Sequence, residues 1–261
     1  MTSLCFAQGN FKDYISSTVN IKFEENRGAS GFLYSSKSKN IYLVTAKHTL
    51  LEFEELSKQY QLIETACEVT YFFRTGRNNL GRISKQLDLD YKYIVGEVAF
   101  SEVSDVAIIE LGEMVDSLIS IPYQALLDTR TDSSFQYIYS ESDVATGENI
   151  LEGHEVYVFG YPRSVGLISR LQFDQNRPLI RSGTIASLDE ENNTIIIDAL
   201  TFEGNSGGPV IQNYNFGVYD IIGVVSEYIP YDSDGSFVGN SGFTVVEPIS
   251  EVIKLIEEYE K

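Results

Sequence analysis

Short apolar runs separated by turn-forming residues fill most of the chain. From Thr18 onward they read TVNIKF, GFLY, IYLVTA, CEVTYFF, YIVGEVAF and DVAIIEL. Val, Ile, Phe and Tyr dominate them; branched and flat side chains pack well on a pleated surface and lose rotamer freedom in a helix, so each run predicts a strand. SSKSKN, between GFLY and IYLVTA, predicts a hairpin loop. Residues 18–112 therefore read as one antiparallel sheet unit that curls on itself. Residues 113–150, with turn formers in DTRTDSS and SESDVATGEN, read as a long connector with some local structure. A second series follows: EVYVFGY, GLISRLQF, RSGTIASL, NTIIIDA, GPVIQ, DIIGVVSEY and SGFTVV. Glycines break these runs near their ends, as sharp turns or barrel corners require. The chain ends in PISEVIKLIEEYEK, where Val252, Ile253, Leu255 and Ile256 recur at helical spacing after Pro248. The expected organisation is all-β, with units at 1–112 and 151–247, a connector at 113–150, and a helix at 248–261 that packs back on the second unit.

Composition narrows the function classes. The 261 residues include 19 basic and 38 acidic side chains, a net charge of -19. Nucleic acid and anionic membranes bind by trading counterions for Lys and Arg, so neither is an expected partner. Two cysteines, Cys5 and Cys67, make no disulfide framework and fit a reducing compartment. The opening MTSLCFAQGNFKDYISS lacks the basic start and apolar run of a secretory leader, and no apolar stretch approaches a membrane span. A cytoplasmic location is the expectation.

Candidate chemistry is sparse. There are two histidines: His48 ends the buried-looking strand in IYLVTAKHTL, and His154 precedes a strand in LEGHEVYVFG beside Glu152 and Glu155, where an ordinary surface or structural role is expected. In FEGNSGGPVI, Ser206 stands among Gly204, Gly207 and Gly208 with Pro209 ending the turn. Such glycines admit strained backbone angles and leave a hydroxyl uncrowded. The same turn can aim the amides of Gly204 and Ser206 at a developing oxyanion. The motif alone also fits a glycine-rich hairpin, and it is not the GxSxG elbow of the α/β-hydrolases. Asp105, immediately before the apolar VAII, sits at a strand start where it can be partly buried against His48, although aspartate is common there as a turn residue. Serine, a base and an orienting acid together are what acyl transfer needs. With two isolated histidines, no HExxH and no cysteine cluster, no metal or other cofactor is expected.

The stretches GASGFLY at 28–34, LVTAKH at 43–48, SDVAIIEL at 104–111, DALTFEGNSGGPV at 198–210, IIGVVSEY at 221–228 and GFTVVEPISEVI at 242–253 occur in the order His48, Asp105, Ser206. In this the chain resembles the trypsin-like (chymotrypsin-fold) serine peptidases, closest in motifs to the bacterial HtrA and Deg proteases and the glutamyl endopeptidases. The resemblance implies two antiparallel six-stranded β-barrels with a cleft between them and a C-terminal helix. It implies Ser206 as nucleophile, His48 as general base and then acid, Asp105 as the group fixing the histidine tautomer, and the Gly204 and Ser206 amides as oxyanion hole. Ser226 would begin the strand lining the primary pocket, with Glu227 and Tyr228 bordering the groove. Leu200 and Thr201 would line the pocket's base or wall, and Gly242 would lie close behind, where a larger side chain would obstruct access.

Departures from the family carry their own expectations. Asn205 stands where digestive trypsins place the aspartate that receives a new amino terminus, so that mode of activation is not expected. Leu200 replaces the aspartate of an Arg- or Lys-directed pocket, and Val225 replaces the histidine of the glutamyl endopeptidases. An apolar or small residue before the scissile bond is the expected preference, unless Asp232 or Asp234 in the 229–241 loop folds inward. Only a short segment follows EPIS, so no PDZ domain is expected. The partners implied are a polypeptide substrate and a regulatory or sensor protein, as in bacterial defence systems that hold a peptidase as effector. The competing reading is a catalytically weak module that binds a peptide by strand addition on the same fold.

Overall fold

The computed structural model describes residues 11–24, 27–75, 79–115, 118–120, 134–145, 147–163, 174, 177–215, 218–233 and 236–261. Helix α1 (Phe11–Ser17) leads into β1 (Thr18–Lys22), β2 (Gly28–Ser35) and β3 (Asn40–Ala46), each antiparallel to the next. The expected hairpin loop joins β2 to β3, and Lys39 there adopts a positive φ of 68°. A one-turn helix α2 (Lys47–Leu50) follows, then a separate hairpin, β4 (Leu51–Glu54) with β5 (Gln59–Leu62), and a longer one, β6 (Ala66–Thr75) with β7 (Asn79–Asp88). Helix α3 (Leu89–Ile94), β8 (Val98–Phe100), β9 (Val106–Val115), β10 (Leu118–Ser120) and β11 (Ser134–Phe135) complete this half.

The second half holds β12 (Glu155–Gly160), β13 (Leu179–Asp189), β14 (Thr194–Asp198), β15 (Pro209–Asn215), β16 (Val218–Ser233) and β17 (Ser236–Pro248). These six strands close into a barrel in the order β12-β13-β14-β17-β16-β15. The GLISRLQF run lies outside the described residues, as does most of DTRTDSS.

The first half departs from expectation. Its strands form a nine-stranded sheet, ordered β10-β9-β3-β2-β1-β6-β11 with β7 added to β6 and β8 to β9, and the described residues of this half do not close into a six-stranded barrel. β7 covers one edge of β6 from end to end, while β1 and β11 share the other, so closure would need a ladder between β7 and β8. Helix α3 intervenes there. Asp88 caps it by accepting the Tyr91 amide at 2.9 Å, and the amides of Leu89 and Asp90 both donate to the Thr65 carbonyl. YIVGEVAF is accordingly not one strand: Tyr93 and Ile94 finish α3, Gly96 turns the chain at φ +83°, and only Val98–Phe100 is extended.

Alternation explains why β2, β3 and β9 read as unbroken apolar runs. Leu33, Ile41, Leu43, Ala107 and Ile109 face the core of the first half. Phe32, Tyr42, Val44, Val106 and Ile108 face the other way, onto Phe159, Ile211, Ile221 and Val224 of the second. With both faces covered, neither set can be polar. The barrel interior is a third cluster that includes Val156, Ile185, Ile197, Val210 and Val246.

Helix α4 (Ile249–Tyr259) forms where periodicity placed it, with Ile249, Val252, Leu255 and Ile256 buried. It bridges both halves rather than resting on the second alone. The Glu260 carboxylate accepts from Ser36, Ser38, Asn40 and Tyr42 of the β2–β3 hairpin at 2.7–3.2 Å. No helix among the described residues is long and apolar enough to cross a membrane.

Candidate active site

The ladder between β3 and β9 ends with Ala46 opposite Val106, so Lys47 and Asp105 leave the sheet side by side. The Lys47 amide donates to the Asp105 carbonyl at 3.1 Å, and the chain turns at once into α2, which swings His48 over the Asp105 side chain. Asp105 Oδ1 accepts the His48 backbone N–H at 2.9 Å, and Oδ2 lies 2.7 Å from His48 Nδ1. Oδ2 also accepts the Ser226 hydroxyl at 2.6 Å. The carboxylate side chain is 20% exposed and the imidazole 51%.

Burial alone would raise the Asp105 carboxyl, but the hydrogen bond and charge of His48, the Ser226 hydroxyl and the His48 amide outweigh it and hold the group below the usual aspartate range. An ionised carboxylate only accepts hydrogen bonds. Nδ1 of the neutral ring therefore carries the proton, and Nε2 keeps its lone pair. Burial would lower the imidazole, yet Asp105 and, at longer range, Glu227 raise it above the ordinary histidine value. The stabilisation from this pairing is complete below the unfolded-state histidine pKa and is lost as pH rises through the higher folded-state value.

Ser206 is placed by a loop tied to both halves. Its carbonyl accepts the Ser30 amide at 2.9 Å, the Gly207 amide donates to Val225 at 2.7 Å, and the Val225 amide donates to Gly208 at 2.9 Å. Gly207 has φ +85°, and a Cβ built there would lie 2.1 Å from the Ser30 carbonyl oxygen and 2.2 Å from Thr45 Oγ1, so only glycine fits. Gly204, at φ +91°, has its carbonyl held by the Ser30 hydroxyl at 2.7 Å. Among the described residues the amides of Gly204 and Ser206 donate to no other group.

His48, Glu203 and Ser206 stand between two cavities and line both. The larger, about 540 Å³, runs toward β16 and is walled by Thr201, Phe202, Val225 and Asn240, with Glu227 and Tyr228 along it. The smaller, about 380 Å³, runs toward the start of β2.

A family model described as trypsin-like peptidase domain matches residues 29–218. The chain belongs to that family. Solved structures similar to the peptidase include Deg5, at 18% identity and a TM-score of 0.53 over 94% of this chain and 88% of that one. Another is the HtrA-type protease AlgW with a tripeptide, at 15% identity and a TM-score of 0.53 over 96% of this chain. The chain spans 63% of the AlgW length, and at these identities both likenesses concern the fold. No curated protein matches the chain.

Of the residues singled out in the sequence, the peptidase fold brings His48, Asp105 and Ser226 into direct contact and sets Ser206 beside His48 in both cavities. Thr201 and Glu227 line the larger cavity; Leu200 and Gly242 do not. Ala199 and Thr201 both point inward, where the two hydroxyls of Thr201 and Thr244 pair at 2.7 Å and Thr244 also donates to the Ala199 carbonyl, so the intervening Leu200 faces outward and is 39% exposed. Gly242, at φ +93°, occupies a turn in which its amide donates to Asn240 Oδ1; it lines neither cavity, and a Cβ built on it meets nothing within 4 Å. His154 lies beside Tyr214 and lines neither cavity. Sequence reading missed Phe202 and Asn240 in the pocket wall and the Ser226 bond to Asp105. A serine immediately beyond the apolar IIGVV was a signal for the last, but its aspartate partner is set by tertiary approach.

Proposed function

We propose that the chain is a serine endopeptidase that cleaves peptide bonds through an acyl-enzyme. The observation that carries this is the Asp105–His48 pair, with Nδ1 engaged and the imidazole facing the same cavities as a glycine-flanked serine. Ser206 Oγ attacks the substrate carbonyl carbon as His48 Nε2 takes its proton. The oxyanion formed is met by the free amides of Gly204 and Ser206. His48 then returns the proton to the leaving nitrogen, the C–N bond breaks, and an ester on Ser206 remains. Water, deprotonated by the same Nε2, attacks the ester and regenerates the hydroxyl. The acyl half of the substrate has a strand to pair with: the β15–β16 ladder ends at Pro209 opposite Val224, and β16 continues beyond it along the larger cavity through Ser226 and Glu227. Asn205 in place of an acidic residue supports control by a partner protein rather than by a new amino terminus.

Labelling with a broad fluorophosphonate followed by mass mapping tests the reading. Modification confined to Ser206 is expected; an unmodified Ser206 in protein that nevertheless cleaves peptides would remove it as the nucleophile. Strong chelation should leave cleavage intact.

Because His48 must be neutral to accept a proton, the acid limb of the kcat/KM profile should have its midpoint above about 6.5, the ordinary histidine value. Glu227→Gln removes one of the charges that raise it, and should move that midpoint down. A limb unmoved by Glu227→Gln would mean that another group sets it.

Of the residues lining the larger cavity, Thr201, Phe202, Val225 and Asn240 carry no charge, and its two carboxylates, Glu203 and Glu227, are exposed to solvent. A Lys or Arg tip buried against the uncharged wall, away from those carboxylates, would lose water without a partner, at a cost of several kcal/mol. Peptides with Val, Leu or Ala before the cleaved bond should therefore outperform matched peptides with Arg in a positional-scanning library. A tenfold preference for Arg or Lys would instead assign the charge partner to Glu203, Glu227 or the 229–241 loop, in which Asp234 lies outside the described residues.

A further inference from the structure

The smaller cavity meets the larger one at His48, Glu203 and Ser206 and runs away from β16, so on the reading of the site as a peptidase it receives the leaving half of the substrate. Among the described residues its charged groups, apart from His48, are Arg27, Arg163 and Glu203. In a chain of net charge -19, two arginines thus come together beside the reacting atoms.

The position of Arg163 is built in from three sides. Its amide donates to the Glu203 carbonyl at 2.8 Å, which ties it to the loop carrying Ser206. Its stem crosses Gly204, where a built Cβ would lie 3.0 Å from Arg163 Cγ. Its guanidinium then lies over Gly28, where a Cβ would fall 2.0 Å from Nε and 2.3 Å from Cζ. Any side chain at position 28 would displace that group. Arg27 approaches from the neighbouring strand end, with its guanidinium 5.5 Å from the Phe23 ring centre and one nitrogen 3.4 Å from Glu64 Oε1. A planar fork of donors is suited to a carboxylate, which it can grip through two parallel bonds. On the acyl side Glu227 joins the shared Glu203, and no Lys or Arg lines the larger cavity among the described residues.

We propose that the smaller cavity is a leaving-side subsite for a carboxylate, held by Arg27 and Arg163. The carboxylate is an Asp or Glu side chain one or two residues after the scissile bond, or the free terminus of a short leaving peptide. The arginines on the leaving side and Glu227 on the acyl side then select both the substrate and its direction in the cleft.

The test is binding to the Ser206→Ala protein of peptides that span the cleft and differ only on the leaving side: Glu against Gln at the first and second positions, and free against amidated ends. The Glu peptide, or the free-ended peptide, should bind about tenfold more tightly than its neutral match. The two series separate side chain from terminus. Arg163→Gln and Arg27→Gln should each bring that ratio below about threefold. Gly28→Ala should do the same while every charge is kept, and it serves if an arginine variant fails to fold. Lys254→Gln, on α4, should leave the ratio unchanged. Equal binding of acid and neutral peptides, or a ratio that survives loss of both arginines, overturns the proposal. Fluorophosphonate labelling of the unaltered protein reports the peptidase reading separately: acid-selective binding with an unreactive Ser206 keeps the subsite and removes the peptidase.

Discussion

Ser206→Ala is expected to lower turnover at least about 10³-fold while leaving the fold in place. Both halves of that expectation rest on how the residue is held. Its position is fixed by the backbone, through its own carbonyl to Ser30 and through Gly207 and Gly208 to Val225. The hydroxyl makes no hydrogen bond among the described residues and the side chain is only half-buried, so its removal strands no buried partner. The thermal midpoint should therefore stay within a few degrees of that of the unaltered protein. Chemistry has no comparable substitute: without Oγ there is no ester, and His48 has only water to deprotonate. Undiminished cleavage by contaminant-free Ser206→Ala protein would reject Ser206 as nucleophile.

What could be read from the sequence follows from which elements are locally determined. β2, β3 and β9 are buried on both faces, so their apolar runs were unmistakable, and α4 carries a full amphipathic period. β7 was hidden because Gly81 and Lys85 occupy inward positions in its alternation, which interrupts the period-two signal. α1 is seven residues long, too short for periodicity, and its Ser16 and Ser17 hydroxyls bond back to the carbonyls of Asp13 and Tyr14. Closure of the first sheet was beyond reach for a different reason. It depends on whether the segment between β7 and β8 is extended, and the Asp88 cap with Gly96 decides that in favour of a helix.

The candidate site divides along the same line. His48, Asp105 and Ser206 each sit at the end of a recognisable strand or in a glycine turn, so motif order sufficed to nominate them. The pocket did not yield in that way. Leu200 faces outward because Thr201 is claimed by Thr244, a partner on a strand far along the chain, and Arg163 depends on the absence of a side chain at Gly28. Specificity in this fold is thus set by long-range register, while the reacting groups are set by local sequence.

Asp105→Asn should be nearly as damaging as loss of the nucleophile, with roughly a 10⁴-fold fall in kcat/KM at neutral pH. Both carboxylate oxygens accept: Oδ1 from the His48 amide, Oδ2 from the Ser226 hydroxyl and from Nδ1. An asparagine has one accepting oxygen and one donating nitrogen. If the oxygen stays on the His48 amide, the NH₂ group faces Nδ1, which must then accept, and the ring proton moves to Nε2. Nε2 can no longer take the proton of Ser206. If the amide flips, its NH₂ opposes the His48 N–H, donor against donor, and the turn that places the ring is strained. Either arrangement also removes the negative charge that raises the imidazole, so the acid limb of whatever activity remains should shift downward. Side-chain volume is almost unchanged, and circular dichroism should report an intact fold. The fluorophosphonate labelling rate, which needs the same proton transfer but no peptide binding, should fall with kcat/KM. A loss below tenfold in both measurements would show that Asp105 does not orient His48 in the working enzyme.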